Sequence, residues 1–510
     1  MGEADAVITS GFVRHARQND EACAVRSGDT QITYGELYAR SIYVADRLRH
    51  QGLAGQRIAI RLGNGVDFLS AFYGVVLAGG IAVPLPADLP ADQTEEWCGH
   101  LNCLSIVKEP SELPAKRSIA PNEAACGRLK PDSLFYMAVS SGSTGKPKGI
   151  LRNHQSWVES FQRMKQAFGL GEKDVILLPG PLHYSASLIA ALQILYEGGV
   201  VHVLDRYDSA AVLNLLACGE VTSCFMVPAM YAKLLAKNSP PCNHPITFLS
   251  AGDKLSVQTA AAWRERFPQS RLFEYYGAAE LSFVSYLLHD GQVMRSASSV
   301  GKPFPGVTVT IRDEHGGKAG QGEPGEVYVN SGMVAQGYGH FDAAPFLAPV
   351  GGGYSVGDLG YLDKEGELHL VGRKQELIMR GGVSIFPAEI ERVLLADPLI
   401  REAAVFGVED PEMGERIVAA ITVAGSEANF PYAEMENRFQ QRFPRSRRPD
   451  DYLIVQTLPR NAAGKTDKKR LKELYRMKKQ LDNDRDPSQP VEMGNKAWER
   501  PAGVEGGREK

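Results

Sequence analysis

Residues Ser140 to Gly149 form a run dense in hydroxyl groups, glycines and lysines: Ser-Ser-Gly-Ser-Thr-Gly-Lys-Pro-Lys-Gly. The hydroxyls can donate hydrogen bonds, the glycines let backbone N–H groups approach an anion, and the lysines supply positive charge. Gly142 and Gly145 are separated by two residues, whereas a Walker A loop has four residues between its first glycine and its Gly-Lys pair. The run therefore predicts a phosphate-binding loop of a different kind.

A flexible Ser/Gly linker is the alternative interpretation of this run. Met137-Ala138-Val139, directly before it, is typical of the end of a buried strand, and Lys-Pro-Lys-Gly is unusual in a linker. Both observations favour the phosphate loop.

The composition indicates an ordinary globular protein with more than one domain. The chain has 510 residues, of which 44% are hydrophobic and 23% charged, and that length exceeds what a single core usually accommodates. Its formal net charge of −4 gives no sign of a nucleic-acid-binding or membrane-surface protein. An anionic ligand must therefore be bound by local positive charge.

Cysteine usage and the N-terminus predict a cytoplasmic location. The seven cysteines are scattered and include no Cys-x-x-Cys pair, which favours reduced thiols over disulfides or zinc ligands. The segment from Met1 to Ala6 matches neither a signal peptide nor a myristoylation signal. No run reaches eighteen apolar residues, so we expect no transmembrane segment.

The first half of the chain alternates strand and helix patterns. Thr33 to Glu36 form a capping box, which predicts a helix that ends near Gln51. From Asp88 to Lys130 the pattern is weaker, and we expect only a covering segment. Strand, helix and strand in succession are typical of a parallel sheet with crossover helices. The predicted elements are Arg57–Leu62, Asp67–Leu77, a turn and strand within Ala78–Leu85, Asn153–Phe168, Val175–Leu178, Ala186–Tyr196, Val200–Leu204, Val221–Val227 and Thr247–Ser250.

Beyond Arg295 the sequence pattern changes to short strand-like segments separated by glycine and proline. This pattern predicts a small antiparallel sheet or β-barrel-like subdomain. From Gln375 onwards the chain can form its own small α+β unit. Its predicted elements are a helix at Pro387–Leu395, strands at Ala403–Val408 and Arg416–Val423, and a helix near Tyr432–Phe443. We therefore expect an α/β fold with a large N-terminal domain at 1–374 and a small C-terminal domain at 375–479. The polar residues 480–510 are expected to be a disordered tail.

Together these motifs resemble the adenylate-forming superfamily, which contains acyl-CoA synthetases, adenylation domains of nonribosomal peptide synthetases and firefly luciferases. The resemblance spans roughly Ile32 to Leu471, with several separate motifs in the family's order. It implies that a carboxylate attacks the α-phosphate of ATP to give acyl-AMP and pyrophosphate, and that a thiol then displaces AMP. Fixed positive charge and N–H donors must surround the reacting phosphate.

The resemblance implies that Lys465 is the catalytic lysine and Glu280 the Mg²⁺-coordinating acid. Lys465 lies in the small domain, so docking of a mobile small domain must complete the site. The alternative interpretation of Glu280, without a functional role, is a solvated carboxylate at the start of a helix. The alternative interpretation of Lys465 is that it belongs to a solvent-exposed series of basic residues that includes Lys468, Lys469 and Arg470.

Asp358 matches the family's ribose-binding acid and Arg373 a nearby ribose or phosphate contact, although each alone resembles a turn aspartate or a surface arginine. The glycines Gly381 and Gly382 match the loop that lines the path of the thiol. The resemblance assigns the remaining nucleotide contacts to the phosphate loop and the adenine site, which comprise Ser140, Ser141, Gly142, Ser143, Thr144, Gly145, Lys146, Lys148, Gly252, Tyr275, Tyr276 and Gly277.

Two positions depart from the family pattern. Ala279 replaces the usual Thr or Ser whose hydroxyl donates to the α-phosphate, so we expect slower adenylation or a hydroxyl supplied by another residue such as Ser282. Gln375 replaces the Asp or Lys at the pivot between the domains. Glutamine cannot form the same ion pairs, which leaves the balance between domain orientations open.

His183 occupies the position where CoA synthetases carry a histidine at the mouth of the acyl pocket. The alternative interpretation is a core histidine without a functional role. Leu182 to Ser185 contain no acid to bind an ammonium, which disfavours an α-amino acid substrate. We expect a fatty or other acyl acid, with ATP, Mg²⁺ and coenzyme A as cofactors and cosubstrates. The alternatives are loading of a separate acyl carrier protein, a luciferase-like oxidative enzyme, and a nucleotide-binding regulator without turnover.

Overall fold

The structure of the chain, a computed structural model, describes residues 7–108, 129–141, 147–289, 298–339, 349–381, 383–423, 431–460 and 466–483. These residues form three β-sheets flanked by helices. Among the helices in these ranges, none combines the length and the apolar character needed to cross a bilayer.

The helices and strands follow in chain order. The elements up to residue 107 are α1 (Ser10–Gln18), β1 (Cys23–Ser27), β2 (Thr30–Thr33), α2 (Tyr34–His50), β3 (Arg57–Ile60), α3 (Val66–Leu77), β4 (Ile81–Pro84), α4 (Ala91–Leu101) and β5 (Ser105–Val107). The elements from 134 to 288 are β6 (Leu134–Ser141), β7 (Pro147–Asn153), α5 (His154–Phe168), β8 (Val175–Leu178), α6 (Ser185–Glu197), β9 (Val200–Val203), α7 (Ser209–Ala217), β10 (Ser223–Met226), α8 (Pro228–Leu235), β11 (Thr247–Ser250), α9 (Val257–Arg266), β12 (Arg271–Ala278) and β13 (Ser282–Leu288). The remainder are β14 (Ser299–Pro303), β15 (Thr308–Arg312), β16 (Gly325–Asn330), β17 (Gly337–Tyr338), β18 (Asp358–Leu362), β19 (Leu368–Arg373), β20 (Ile378–Arg380), β21 (Val383–Ile385), α10 (Pro387–Leu395), β22 (Ile400–Asp410), β23 (Gly414–Val423), α11 (Tyr432–Arg442), β24 (Asp451–Ile454) and α12 (Lys468–Asn483).

A six-stranded sheet has the order β17-β7-β6-β4-β3-β5. Strands β3, β4 and β5 are parallel and are connected through α3 and α4, as expected for crossover units. The elements α4 and β5 correct the expectation of a mere covering segment between Asp88 and Lys130. The buried face of α4 consists of Thr94, Cys98 and Leu101, so only one strongly apolar residue marked it in the sequence.

A thirteen-stranded sheet has the order β15-β16-β18-β19-β14-β13-β12-β11-β10-β8-β9-β1-β2. Strands β12, β11, β10, β8, β9 and β1 are parallel neighbours, and α6 to α9 connect β8 to β12. The antiparallel strands predicted beyond Arg295 are present, and β14 pairs with β13, so they extend this sheet. The carboxyl ends of β8, β11 and β12 meet at one sheet edge, where open α/β sheets bind ligands.

The third sheet belongs to the last part of the chain. It contains β21-β20-β23-β22, with β24 paired to β23. Its two hydrophobic clusters consist of residues that follow residue 377. The predicted α+β composition of this part is confirmed, and α10 has the predicted bounds Pro387–Leu395. The proposed boundary at 374/375 stays a prediction, and residues 484–510 of the expected tail lie outside the described residues.

Candidate active site

The predicted phosphate loop connects two paired strands, β6 and β7. Ser140 lies opposite Lys148 in this hairpin, and Ser141 lies opposite Pro147. A Cβ atom at Gly149 would lie 2.5 Å from the sulfur of Met137, so a larger residue there would displace the Met137 side chain. Residues 142–146, which include the predicted Lys146, lie outside the described residues. Their contact with phosphate stays a prediction.

The turn after β11 contains Gly252, which has φ of +96°, a conformation that favours glycine. The next residues are fixed from β12, because Glu274 accepts hydrogen bonds from the Leu255 N–H at 2.9 Å and the Lys254 ammonium at 2.7 Å. The turn therefore lies beside β12, as a joint adenine site requires.

The two tyrosines of β12 point to opposite faces of the sheet. The Tyr275 ring is buried and packs against Phe168, Phe225 and Phe283, with ring centroids 5.0–6.2 Å away. This corrects the expectation that both rings lie in the adenine site, because the Tyr275 ring is a core side chain. Tyr276 faces the other way and donates to Oδ2 of Asp358.

Gly277 follows these tyrosines and pairs with Phe283 of β13, directly after an irregularity in the strand register. A Cβ atom at Gly277 would lie 2.0 Å from the Ser282 carbonyl oxygen. The Ser282 hydroxyl pairs with Ser160 of α5 at 2.8 Å. The structure therefore gives Ser282 a partner in the helix packing and does not support it as a replacement for the hydroxyl absent at Ala279.

Asp358 and Arg373 are cross-strand partners in β18 and β19. The Arg373 Nε atom donates to Oδ1 of the buried Asp358 carboxylate at 3.0 Å, while Tyr276 donates to its other oxygen. Burial and the Asp358 charge raise the pKa of Tyr276 well above its ordinary value, so its hydroxyl stays protonated. Asp358, Arg373 and Tyr276 thus form one hydrogen-bonded group.

Glu280 lies in the turn between β12 and β13, and Arg152 of β7 holds the backbone of that turn. The Arg152 guanidinium donates to the carbonyl oxygens of Ala279 at 3.1 Å and Met333 at 2.6 Å. Burial lowers the pKa of Arg152 to about 9, which the nearby Tyr136 and Glu280 oppose. The carbonyl oxygen of Glu280 also accepts the N–H of Ala335 at 2.7 Å. The strand that leaves the phosphate loop therefore fixes the turn that carries Glu280.

Tyr338 connects the same two elements through its side chain. Its hydroxyl donates to Oε1 of Glu280 at 3.2 Å, and its ring centroid lies 5.9 Å from the Lys148 ammonium. Neither Arg152 nor Tyr338 was among the residues predicted from the sequence. Their partners lie 127 and 58 positions away along the chain, and neither residue stands in a pattern that marks it as functional.

The half-buried Glu280 carboxylate fits a Mg²⁺ site, because a carboxylate that accepts one hydrogen bond keeps lone pairs for a hard cation. A second group of potential metal ligands, Asp363, Glu367 and His369, has ligand atoms within 4.8 Å of one another. His369 Nε2 lies 2.8 Å from Asp363 Oδ2, while Ser298 pairs with His369 and the Ser299 hydroxyl donates to Glu367. We interpret the second group as a structural clamp on the β18–β19 turn.

His183 lies in the segment between β8 and α6. Its ring is tilted against Tyr184 at a centroid distance of 4.2 Å, and its buried Nε2 atom has no hydrogen-bond partner among the described residues. Burial lowers the pKa of His183 to about 4, with Asp88 opposing the shift. The ring is therefore neutral at pH 7.

Asn64 holds this segment in place, although no motif in the sequence marks it as functional. Its side-chain amide donates to the carbonyl oxygens of Gly180 and Leu204, and its oxygen accepts the Leu182 N–H at 2.8 Å. Ser185 pairs with Tyr136 of β6 at 3.0 Å. The His183 segment is thus fixed beside the strand that enters the phosphate loop.

The predicted pivot, Gln375, lies in a 3₁₀ turn at Lys374–Glu376. Lys374 forms an ion pair with Glu326 at 2.9 Å. Lys468 at the start of α12 pairs with Glu376 at 2.8 Å and with Glu391 at 3.2 Å. This corrects the expectation that Lys468 belongs to an ordinary solvated charge run, since it anchors the turn to the small domain.

Gly381 has φ of +55° and its N–H donates to the Met413 carbonyl at 2.8 Å. Gly382 and Lys465 lie outside the described residues, so their roles stay predictions. The residues on either side of 461–465, Arg460 and Thr466, pair in an isolated antiparallel bridge.

Family models match two parts of the chain. Residues 12–339 match the model described as AMP-binding enzyme, and residues 389–465 match the AMP-binding enzyme C-terminal domain. An uncharacterized acyl–CoA ligase, YhfT of Bacillus subtilis, is 32% identical over 91% of this chain and 98% of its own length. A 2-succinylbenzoate–CoA ligase of Bacillus velezensis is 29% identical over 91% of this chain and 97% of its own length. The long-chain-fatty-acid–CoA ligase FadD13 of Mycobacterium tuberculosis is 27% identical over 88% of this chain and 94% of its own length.

Solved structures show the same fold. ATP-bound MatB from Rhodopseudomonas palustris has a TM-score of 0.80 at 24% identity and covers 92% of this chain and 99% of its own. The o-succinylbenzoate CoA synthetase MenE from Bacillus subtilis, in complex with ATP and magnesium ion, has a TM-score of 0.76 at 26% identity and covers 89% and 98%. The α/β architecture with a large and a small domain is therefore confirmed.

Proposed function

This chain belongs to the AMP-binding enzyme family as an AMP-forming acid–CoA ligase, and we propose that it converts a carboxylic acid that lacks an α-ammonium group into its CoA thioester. In the first half-reaction a carboxylate oxygen attacks the α-phosphorus of ATP and pyrophosphate leaves. In the second, the sulfur of CoA attacks the acyl carbon and AMP leaves.

One observation carries this proposal. The β12–β13 hairpin brings Tyr276, hydrogen-bonded to Asp358, and the turn containing Glu280 to the strand that leaves the phosphate loop. The carboxylate proposed to bind the ribose, the carboxylate proposed to bind the metal and Lys148 at the end of the predicted phosphate loop would then serve one ligand. ATP with its metal requires this combination.

The chain's own residues can prepare adenylation as follows. Asp358 accepts hydrogen bonds from ribose hydroxyls while Tyr276 and Arg373 orient its carboxylate. Lys148 adds positive charge near the triphosphate, and Lys465 is proposed to reach both the acid and the α-phosphate. Glu280 would hold Mg²⁺, which supplies charge neutralisation on the phosphates.

The nature of the acid is inferred from the His183 segment. Its histidine is neutral, and Leu182 to Ser185 provide no carboxylate for an ammonium. Asp88 is exposed, and its effect on His183 is that of its charge. The relatives differ in their acids by name, from 2-succinylbenzoate to long-chain fatty acids. We propose a fatty or other acyl acid as the substrate class.

Coenzyme A is the proposed acceptor, since the relatives at 27–32% identity are named as CoA ligases. A panel of carboxylic acids with ATP and Mg²⁺, with and without CoA, tests the whole proposal by mass spectrometry of AMP and the acyl product. We expect acid-dependent acyl-AMP without CoA and acyl-CoA with it. Turnover with a holo carrier protein but not with CoA would overturn the acceptor, and failure of every acid to form AMP would overturn the function.

A further inference from the structure

The side chain of Tyr338 touches two predicted site residues that come from different parts of the chain. Its hydroxyl donates to Glu280 Oε1 at 3.2 Å, and its ring lies 5.9 Å from the Lys148 ammonium. Glu280 is 58 positions away along the chain. One aromatic residue therefore contacts both the proposed metal ligand and a cation of the phosphate loop.

The backbone that carries Tyr338 is fixed. Strand β17 pairs with β7, with Tyr338 opposite Ile150 and Gly337 opposite Leu151. The Gly339 N–H donates to the Gly149 carbonyl at 2.8 Å, and Arg57 donates to the Gly339 carbonyl at 2.6 Å. A side chain on such a rigid element can define the position of its partner.

The hydroxyl of Tyr338 acts only as a donor to Glu280. A tyrosine phenol carries its proton at neutral pH and a carboxylate can only accept, so the proton of this hydrogen bond belongs to Tyr338. Its hydrogen bond occupies one lone pair of one carboxylate oxygen and leaves the others for a cation. This arrangement orients a metal ligand without competing for the whole carboxylate.

We propose that Tyr338 is a positioning residue that sets the orientation of Glu280 for metal binding and holds Lys148 of the phosphate loop beside it. The proposal rests on the proposed ATP-dependent function. Partners that orient metal ligands typically affect metal affinity by about 10- to 100-fold when they are removed. The hydroxyl and the ring have separable tasks, since the hydroxyl donates to Glu280 and the ring faces the Lys148 ammonium.

Tyr338→Phe removes the hydroxyl and keeps the ring over Lys148. The matched control is Tyr475→Phe, which removes a similar tyrosine-to-carboxylate hydrogen bond, to Asp451 at 2.9 Å, in the small domain. Binding of ATP to each purified full-length protein is measured by calorimetry with Mn²⁺ and again in EDTA. Electron paramagnetic resonance of bound Mn²⁺ gives a second readout that does not require turnover.

We expect Tyr338→Phe to weaken Mn²⁺–ATP binding about tenfold or more and to leave metal-free ATP binding within about twofold of the parent. The apparent KM for Mg²⁺ should rise while kcat at saturating Mg²⁺ recovers. Tyr475→Phe should change neither binding constant. Tyr338→Leu should also weaken metal-free binding, because it loses the ring contact with Lys148.

Unchanged or tighter Mn²⁺–ATP binding by Tyr338→Phe would overturn the proposal, as would an equal loss of metal-free and metal-dependent binding, which indicates a merely structural role. A parent protein that binds neither form of ATP would instead refute the proposed function. The two failures are therefore distinguishable.

Discussion

The hydroxyl of Tyr276 donates a hydrogen bond to Oδ2 of Asp358, which joins the end of β12 to the start of β18. Arg373 occupies the other oxygen of this buried carboxylate. A carboxylate has about four lone-pair sites, so two remain for the hydroxyls of a ribose. These two contacts fix the orientation of the carboxylate with which Asp358 is proposed to accept ribose hydroxyls.

Replacing Asp358 by Asn should weaken ATP binding about tenfold or more, because a hydrogen bond to a charged group contributes about 1.5–3 kcal/mol. Asp363→Asn is the matched control, since Asp363 follows the same strand, β18, but pairs with His369, whereas Asp358 accepts from Tyr276. Calorimetric titration with ATP measures both variants. Equal affinities for the parent and Asp358→Asn would contradict the ribose role.

The local elements were largely predictable from the sequence, because their signals lie within a few residues. Thr33 and Glu36 form the predicted capping box, and the strand at Val175–Leu178 has the predicted bounds. The strand predicted to end at Val139 is present as part of β6, which pairs with β7, while the binding of phosphate by the connection between them stays a prediction. Short-range chemistry was sufficient in each case.

The contacts that assemble the site could not be predicted, because they join distant parts of the chain. Arg152 resembles any strand arginine until the β12–β13 turn lies against it. The two adjacent tyrosines of β12 look equivalent in sequence, yet strand alternation places Tyr275 in the core and Tyr276 toward Asp358. Register decides such roles, and one sequence does not reveal it.

Lys465→Ala should reduce acyl-AMP formation about 100-fold or more and leave ATP binding nearly unchanged, because a fixed cation acts mainly on charge that develops in the transition state. The exposed Lys469→Ala is the control and should retain full activity. Lys468→Ala should instead destabilise the small domain, since it breaks the contacts with Glu376 and Glu391. Single-turnover formation of acyl-AMP checks the first result, and a parental rate in Lys465→Ala would refute it.

Ala279→Thr should accelerate adenylation about tenfold if the absent hydroxyl limits the rate, since one hydrogen bond to a charged group contributes about 1.5–3 kcal/mol. Arg152 holds the Ala279 carbonyl, so the backbone of the turn is fixed and can present the new side chain. Pyrophosphate release under single-turnover conditions gives the rate. An unchanged rate would show that the chain does not depend on this hydroxyl.

Gln375→Pro should slow either acyl-AMP formation or the reaction of acyl-AMP with CoA and preserve the other step, because each step is expected to need its own domain orientation. Proline fixes φ near the value typical of a 3₁₀ turn such as Lys374–Glu376, so the variant should resist rotation about φ of residue 375, at some cost to the helical conformation of the preceding Lys374. Acyl-AMP formation and its reaction with CoA are measured separately by rapid quench. Equal rates in both steps for variant and parent would place the pivot elsewhere.

The stability of the large domain should depend on pH through His154. This buried ring stacks on Phe135 at 4.8 Å, and burial lowers its pKa from 6.5 to about 4. The neutral form is favoured in the folded protein, so the stabilisation is present above pH 6.5 and is lost as the pH falls toward 4. Between pH 7.5 and pH 5 the loss amounts to about 2 kcal/mol.

His154→Asn removes this titration and keeps an acceptor for the Ile8 N–H, which His154 Nδ1 accepts at 3.4 Å. The variant should be less stable than the parent at pH 7.5. On acidification to pH 5, however, its free energy of unfolding should fall by about 2 kcal/mol less than that of the parent. His315→Asn is the control, because the His315 side chain is 86% exposed and should leave the pH dependence unchanged. Urea unfolding followed by tryptophan fluorescence at both pH values measures the difference. Parallel acid losses in His154→Asn and the parent would assign the pH dependence to other groups.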